Sequence, residues 1–257
     1  MTVVGTHRDR YARWLVQAVT AIRIAGWLGA VVLTTSAPCG LALGTPPASA
    51  APCPDVEVVF ARGTFEPAGV GETGTAFIDA LRSRVGGKSV DAYAVNYPAS
   101  LDFATAADGV IDAANRVRDM AASCPNTKMV LGGYSQGAAV VGYITEDAIP
   151  AGFTPPAGIN GPMSPELASH VAAVALFGKP STGFLQVIRI DAPPITVGHL
   201  YAGKTIDLCI PDDPICSPSG ADNGAHNLYA VNGMVGQAAD FAARYVRSTE
   251  VTEHSVS

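Results

Sequence analysis

Charge is scarce in this chain. Only 15% of its 257 residues are Asp, Glu, Lys or Arg, and 16 basic against 22 acidic residues leave a net charge of −6. A nucleic-acid binder normally carries a basic stripe, and no basic excess exists here. Low charge beside 48% apolar residues excludes disorder as the main state, because such a chain has ample side chains to bury. Internal repeats and low-complexity linkers are also missing, so one domain is expected. There is no CxxC pair, and no cysteine has a histidine nearby in the metal-ligand spacing, so a metal centre is not indicated. Tryptophan is rare: Trp14 and Trp27 are the only two.

Both tryptophans fall in a segment that reads as a secretory leader. Basic residues cluster early (Arg8, Arg10, Arg13, Arg23), an uncharged run covers Ile24 to Ala37, and small residues Ala48-Ser49-Ala50 follow. The apolar run of about fourteen residues is short for a span that needs roughly twenty, so a retained membrane anchor is the weaker reading. Residues 1–50 are therefore expected to be cleaved. Cys39 is a poor lipid-attachment site, because Pro38 precedes it where a small residue belongs. Removing four Arg and one Asp leaves 12 basic and 21 acidic residues, a net charge of −9.

Cleavage also turns five cysteines into four: Cys53, Cys124, Cys209 and Cys216. Four allow three connectivities. Cys209 and Cys216 face each other across a Pro/Asp turn and are natural partners, which leaves Cys53 for Cys124. The compartment is then oxidising, and the protein is expected to be secreted, free or wall-associated.

Apolar patterning alternates strands with helices. Strands are expected at Val56–Ala61, Val90–Tyr97, Lys128–Gly132, Val171–Phe177 and Thr205–Leu208. Helical spacing covers Thr73–Val85, Ala104–Ser123, Ala138–Ala148 and Gly233–Val246. Such alternation implies an α/β fold with a parallel sheet covered on both faces. The Pro/Gly-rich stretch 150–165 reads as a surface insertion. The domain then spans 51–247, and 248–257 form a polar tail.

Gly133-Tyr134-Ser135-Gln136-Gly137 fits G-x-S-x-G between a strand and a helix, the context of a nucleophile elbow. A helix N-cap would explain the serine but neither flanking glycine. A serine hydroxyl needs a base to take its proton and an acid to orient that base. In the α/β-hydrolase chain order Ser, acid, His, His226 is the base: His170 and His199 precede any plausible acid, and His254 sits in the tail. Asp207 lies within the last strand, so the acid comes from the Cys209–Cys216 loop. The residues alone leave Asp212 and Asp213 open.

These features together resemble the cutinase family, in its bacterial secreted branch. The resemblance rests on the G-x-S-x-G segment, the Cys209-x6-Cys216 loop with Asp213 inside, and His226 shortly after it. Phe60-Ala61-Arg62-Gly63-Thr64 and Cys124-Pro125 also match, and the likeness covers about 53–247. It implies a small three-layer α/β-hydrolase with about five parallel strands and no large lid. It also implies Ser135 as nucleophile, Asp213 as acid, His226 as base, and the same Cys53–Cys124 pair. Thr64 stands where fungal members usually have serine, and with the Gln136 N–H it would form the oxyanion hole.

The activity so implied is hydrolysis of carboxylic esters with short to medium acyl chains, without metal or organic cofactor, by a monomer. Substrates would be small or polymeric esters, lipids included. Phe184, Leu185, Val187, Ile188, Ile195, Val197 and Leu200 are candidates for one wall of an apolar crevice. Leu101 and Phe103 are candidates for the other. Two rival readings are a same-fold hydrolase of acetylxylan, thioesters or phospholipids, and a catalytically inactive secreted binding protein.

Overall fold

A computed structural model describes residues 52–149, 151, 154–188 and 192–248. The leader expected at 1–50 and nearly all of the tail lie outside the described residues. Strands β1 (Val56–Ala61), β2 (Val90–Ala94), β3 (Lys128–Tyr134), β4 (Val171–Phe177) and β5 (Thr205–Leu208) form one parallel sheet in the order β2-β1-β3-β4-β5. Between and after them run α1 (Gly71–Arg82), α2 (Ala106–Ser123), α3 (Gln136–Ile144), α4 (Pro165–His170), α5 (Thr182–Val187), α6 (His199–Ala202) and α7 (Met234–Arg247).

The two-residue period of a strand sorts β1 between two cores. Val59 and Ala61 join Val117 of α2 and Val140 of α3 on one face. Val56, Val58 and Phe60 join Phe77 of α1 and Ala238 of α7 on the other. A sheet covered on both faces accounts for the unbroken apolar run of β4 and the near-continuous one of β1. Glu57 is the exception in β1, buried at 2% exposure. Its carboxylate is satisfied from α2, where Arg116 Nε donates to Oε1 at 2.7 Å and Arg116 Nη2 makes a second contact to Oε2. Cys53 is bonded to Cys124, tying the chain ahead of β1 to the end of α2.

Several boundaries differ from the sequence reading, and those of β2, β3 and α3 have local reasons. β2 stops at Ala94 rather than Tyr97, although the Val95 N–H still donates to Phe60 O at 3.0 Å. The carbonyls of Val95 and Tyr97 are taken instead by the Arg62 guanidinium, at 3.5 and 2.7 Å. β3 runs on to Tyr134 and α3 begins at Gln136, so a single residue separates strand from helix. α3 ends at Ile144 because the next residues turn to hold another loop: Thr145 O accepts Gly198 N–H at 2.9 Å and Glu146 Oε1 accepts Thr196 N–H at 3.0 Å. The stretch expected as a surface insertion is not all surface. Met163 is buried in the core and Ser164 caps α4, its hydroxyl accepting the Leu167 N–H.

β1 connects outward to β2 on one side, while β3 continues to β4 on the other. Between β1 and β3 the connections diverge, and at such a switch point ligands bind outside the C-terminal strand ends of open α/β sheets. Thr64 follows β1 and Ser135 follows β3 at that edge.

Candidate active site

Ser135 occupies a backbone conformation that side chains rarely adopt, φ 56° and ψ −120°. Holding such a residue costs about 1–3 kcal/mol, so its surroundings must enforce it. The glycines on either side permit the turn by close approach. A Cβ on Gly133 would lie 2.2 Å from the Gly137 carbonyl oxygen, and one on Gly137 would lie 2.0 Å from the Ala61 carbonyl oxygen. The Ser135 N–H donates to Phe177 O at 2.9 Å, and the Ser135 carbonyl accepts the Ala138 N–H at 2.9 Å. Strand ladder and helix therefore meet on this one residue.

The hydroxyl of Ser135 lies 2.8 Å from His226 Nε2. On the other side of the ring, His226 Nδ1 is 2.7 Å from Asp213 Oδ2. His226 stands in a 3-10 turn at Ala225–Asn227, between the cysteine loop and α7. Its ring stacks on Tyr134 with centroids 5.1 Å apart, and its carbonyl accepts the Tyr134 hydroxyl at 2.7 Å.

Asp213 is completely buried, inside the loop closed by the Cys209–Cys216 disulfide. Oδ1 accepts the Ile215 N–H at 2.9 Å, and Oδ2 accepts from the Tyr229 hydroxyl at 2.7 Å as well as facing His226. Burial pushes the Asp213 carboxyl up, but the hydrogen bonds from His226, Tyr229 and Ile215 outweigh it and hold the carboxyl below its ordinary value. An ionised Asp213 fixes the proton of neutral His226 on Nδ1, which leaves Nε2 to accept from the serine. Burial raises the Tyr229 phenol far above its usual range, so it remains a donor.

The other acids stand apart. Asp212 is exposed, and Asp207 pairs with Lys179 at 3.4 Å. Of the remaining described histidines, His199 is paired with Asp147 on the surface at 2.7 Å.

Thr64 sits in a tight turn after β1, where the Glu66 N–H donates to Gly63 O at 3.2 Å. Its hydroxyl lies 3.4 Å from Gln136 Oε1, and Gln136 Nε2 donates to Ser100 O at 3.1 Å. The Gln136 N–H belongs to the first turn of α3, where no intrahelical acceptor exists. Buried Arg62 braces this corner, with Nε donating to Glu66 O at 2.9 Å and Nη2 to Tyr97 O at 2.7 Å.

The crevice-wall residues divide. Leu101 and Phe103 line one cavity. Leu185 does not face a crevice: it is 5% exposed and packs with Ala139 and Ile195 in a satellite core. One helical turn sets Leu185 inward, while Val187 stands 77% exposed. Val197 and Leu200 pack against the main core, and Phe184 is half-buried, with its N–H capped by the Ser181 hydroxyl. Tyr134, Tyr229 and Arg62 escaped the sequence reading as parts of the site, since no spacing rule marks a tertiary hydrogen bond. Tyr134 does lie inside the G-x-S-x-G motif, and Tyr229 is three residues beyond His226. Among the described residues no group of three or more His, Cys, Asp or Glu side chains is placed to hold a metal ion, and no helix is long and apolar enough to cross a membrane.

Comparison with known proteins puts this arrangement in context. Carboxylesterase Culp1 of Mycobacterium tuberculosis is 48% identical over 217 residues, covering 84% of this chain and 93% of its own. Phospholipase Culp4 of the same organism is 44% identical over 238 residues, covering 92% and 96%. The solved structure of Trichoderma reesei cutinase in complex with a C11Y4 phosphonate inhibitor superposes with a TM-score of 0.58 at 33% identity, covering 76% of this chain and 78% of that one. The cutinase family model matches residues 52–246, a span that holds the whole sheet, both disulfides and the Ser135–His226–Asp213 relay, and the chain belongs to the cutinase family.

Proposed function

We propose that the protein is a secreted serine esterase, freed of residues 1–50, that hydrolyses carboxylic esters of short to medium acyl chains through an acyl-enzyme on Ser135. The observation that supports it is the continuous path from Ser135 Oγ through both nitrogens of His226 to buried Asp213. His226 Nε2 takes the hydroxyl proton as Ser135 Oγ attacks the ester carbonyl carbon. Asp213 stabilises the imidazolium that results. The oxyanion is held by the Gln136 N–H and by Thr64. As the tetrahedral intermediate collapses, the carbon–oxygen bond to the alcohol breaks and His226 gives that alcohol its proton. Water then enters, loses a proton to His226, attacks the acyl carbon and releases the acid, and Ser135 recovers its proton.

Kinetics with p-nitrophenyl butyrate test the reading. Wild type should turn over, and Ser135→Ala should lose at least 10³-fold in kcat, in line with what removing a triad member costs. Unchanged turnover in Ser135→Ala would overturn it.

A second reading, phospholipid hydrolysis, is favoured by one feature of the surface. The exposed large apolar residues Phe65, Leu101, Val187, Leu228 and Val231 all sit in connections that leave the C-terminal strand ends, the edge that carries Ser135. Exposed apolar side chains in those connections would suit an aggregated apolar substrate. The relative named a phospholipase supports the same choice. Release of fatty acid from phosphatidylcholine vesicles distinguishes the two readings.

A further inference from the structure

A cavity of about 530 Å³ lies between the first turns of α2, the end of α3 and the 154–162 stretch. Its size falls in the range that encloses small organic ligands. Ser135, His226, Thr64 and Gln136 are not among the residues lining it, so it is distinct from the relay. Its edge nevertheless adjoins the relay. Leu101 and Phe103 line it, Leu101 is 63% exposed, and the neighbouring Ser100 carbonyl is held by the side chain of Gln136. The cavity mouth is thus fastened to the residue that follows Ser135.

The geometry points to this cavity as the seat of the ester's acyl chain, which runs from Ser135 over Leu101 and enters tail first. This rests on the esterase reading above. The walls favour that occupant. Among the described residues that line it, most are apolar Ala, Pro, Ile, Leu, Val and Phe, and the ionisable groups are Asp102, Glu146 and the Tyr143 phenol. Tyr143 donates to Pro193 O at 2.7 Å, and one Glu146 oxygen accepts the Thr196 N–H, so both are already partnered. A free fatty acid would place its carboxylate beside Asp102 and Glu146, whereas a neutral hydrocarbon tail has no such conflict.

Position along α3 sets the length of chain that benefits. Tyr143 stands eight residues after Ser135, roughly 12 Å along the axis at the helical rise. An extended hydrocarbon advances roughly 1.3 Å per carbon, from its 1.5 Å bonds. Acetyl and butyryl groups therefore stop short of Tyr143, and chains of about nine carbons or more reach that depth. The Pro/Gly-rich stretch becomes a specificity wall, with Pro155, Pro156 and Ile159 limiting the far side.

The test compares kcat/KM for p-nitrophenyl laurate and p-nitrophenyl butyrate in the mature enzyme and in Ala107→Phe, which fills the cavity from α2. Ala148→Phe fills it from the other side and reads the same ratio independently. The laurate-to-butyrate ratio should fall at least tenfold in both variants. A ratio that stays at the wild-type value in either folded variant overturns the assignment while leaving the esterase reading intact. If wild type cleaves neither ester, the esterase reading itself fails.

Discussion

Tyr229 donates its hydroxyl to the same Asp213 oxygen that faces His226 Nδ1, at 2.7 Å in each case. The phenol also accepts the Ile210 N–H at 3.1 Å, so one fully buried tyrosine joins the acid to the start of the cysteine loop. On the proposed mechanism Tyr229 is a positioning residue: it touches no reacting atom but holds the carboxylate that would orient the base.

Removing that hydroxyl should therefore change pH behaviour as well as rate. In Tyr229→Phe, Asp213 loses one of the hydrogen bonds that keep its carboxyl low, so its pKa moves up toward the ordinary value. The acid limb of the pH–kcat profile should shift to higher pH, with a fall of about tenfold at neutrality for one lost bond to a charged group. An unshifted profile with reduced rate would indicate a purely structural role.

The adjacent aspartates should behave very differently. Asp213→Asn removes the charge that fixes the His226 tautomer, and loss of about 10³–10⁴-fold in kcat is expected. Asp212 is exposed and should tolerate Asn with turnover within about twofold, as for surface substitutions. Butyrate hydrolysis by the two variants in parallel checks this.

Asp213 also links stability to pH. Its carboxyl is held below the unfolded value, so its contribution is present above the unfolded pKa and is lost as pH falls through the folded one. Wild type should lose thermal stability relative to Asp213→Asn as pH drops from about 5 toward 2, the window of a depressed carboxylate. Unfolding temperatures of both proteins across that range test the sign.

The two disulfides should separate stability from activity. Cys53–Cys124 closes a separation of 71 residues and Cys209–Cys216 one of seven, which in the chain-entropy model stabilises by about 4.4 and 2.4 kcal/mol respectively. Replacing the first pair by serines should lower the unfolding temperature more. Replacing the second should cost more kcat, because its loop carries Asp213. Equal effects on kcat would argue against that coupling.

How far the sequence was legible follows from which forces act locally. The bounds of β1, β4 and β5 agree with the sequence reading, and β4 in particular is a continuous apolar run because burial on both faces of a parallel sheet leaves such segments. The tight turn at Ser135 was legible because close approach there demands glycine on both sides, and glycines are visible in a sequence. Asp212 and Asp213 could not be separated by pattern, because one residue of rotation in a turn decides which carboxylate points inward. The structure turns Asp213 inward through bonds from Asp213 N–H to Ile210 O and from Ser217 N–H to Asp213 O, each 2.9 Å. Tyr229 and Arg62 act through tertiary partners that leave no periodic trace. The stretch 150–165 suggested a surface by its Pro and Gly content, yet Pro155, Pro156, Ile159 and Pro162 of it wall a cavity.

Intact-mass spectrometry after reaction with a p-nitrophenyl phosphonate tests the central claim most directly. One adduct should form per chain, on the peptide containing Ser135, and esterase turnover should vanish in proportion to labelling. Ser135→Ala should take up none. No adduct on the folded wild-type protein, or full labelling at another residue with turnover retained, would contradict the account.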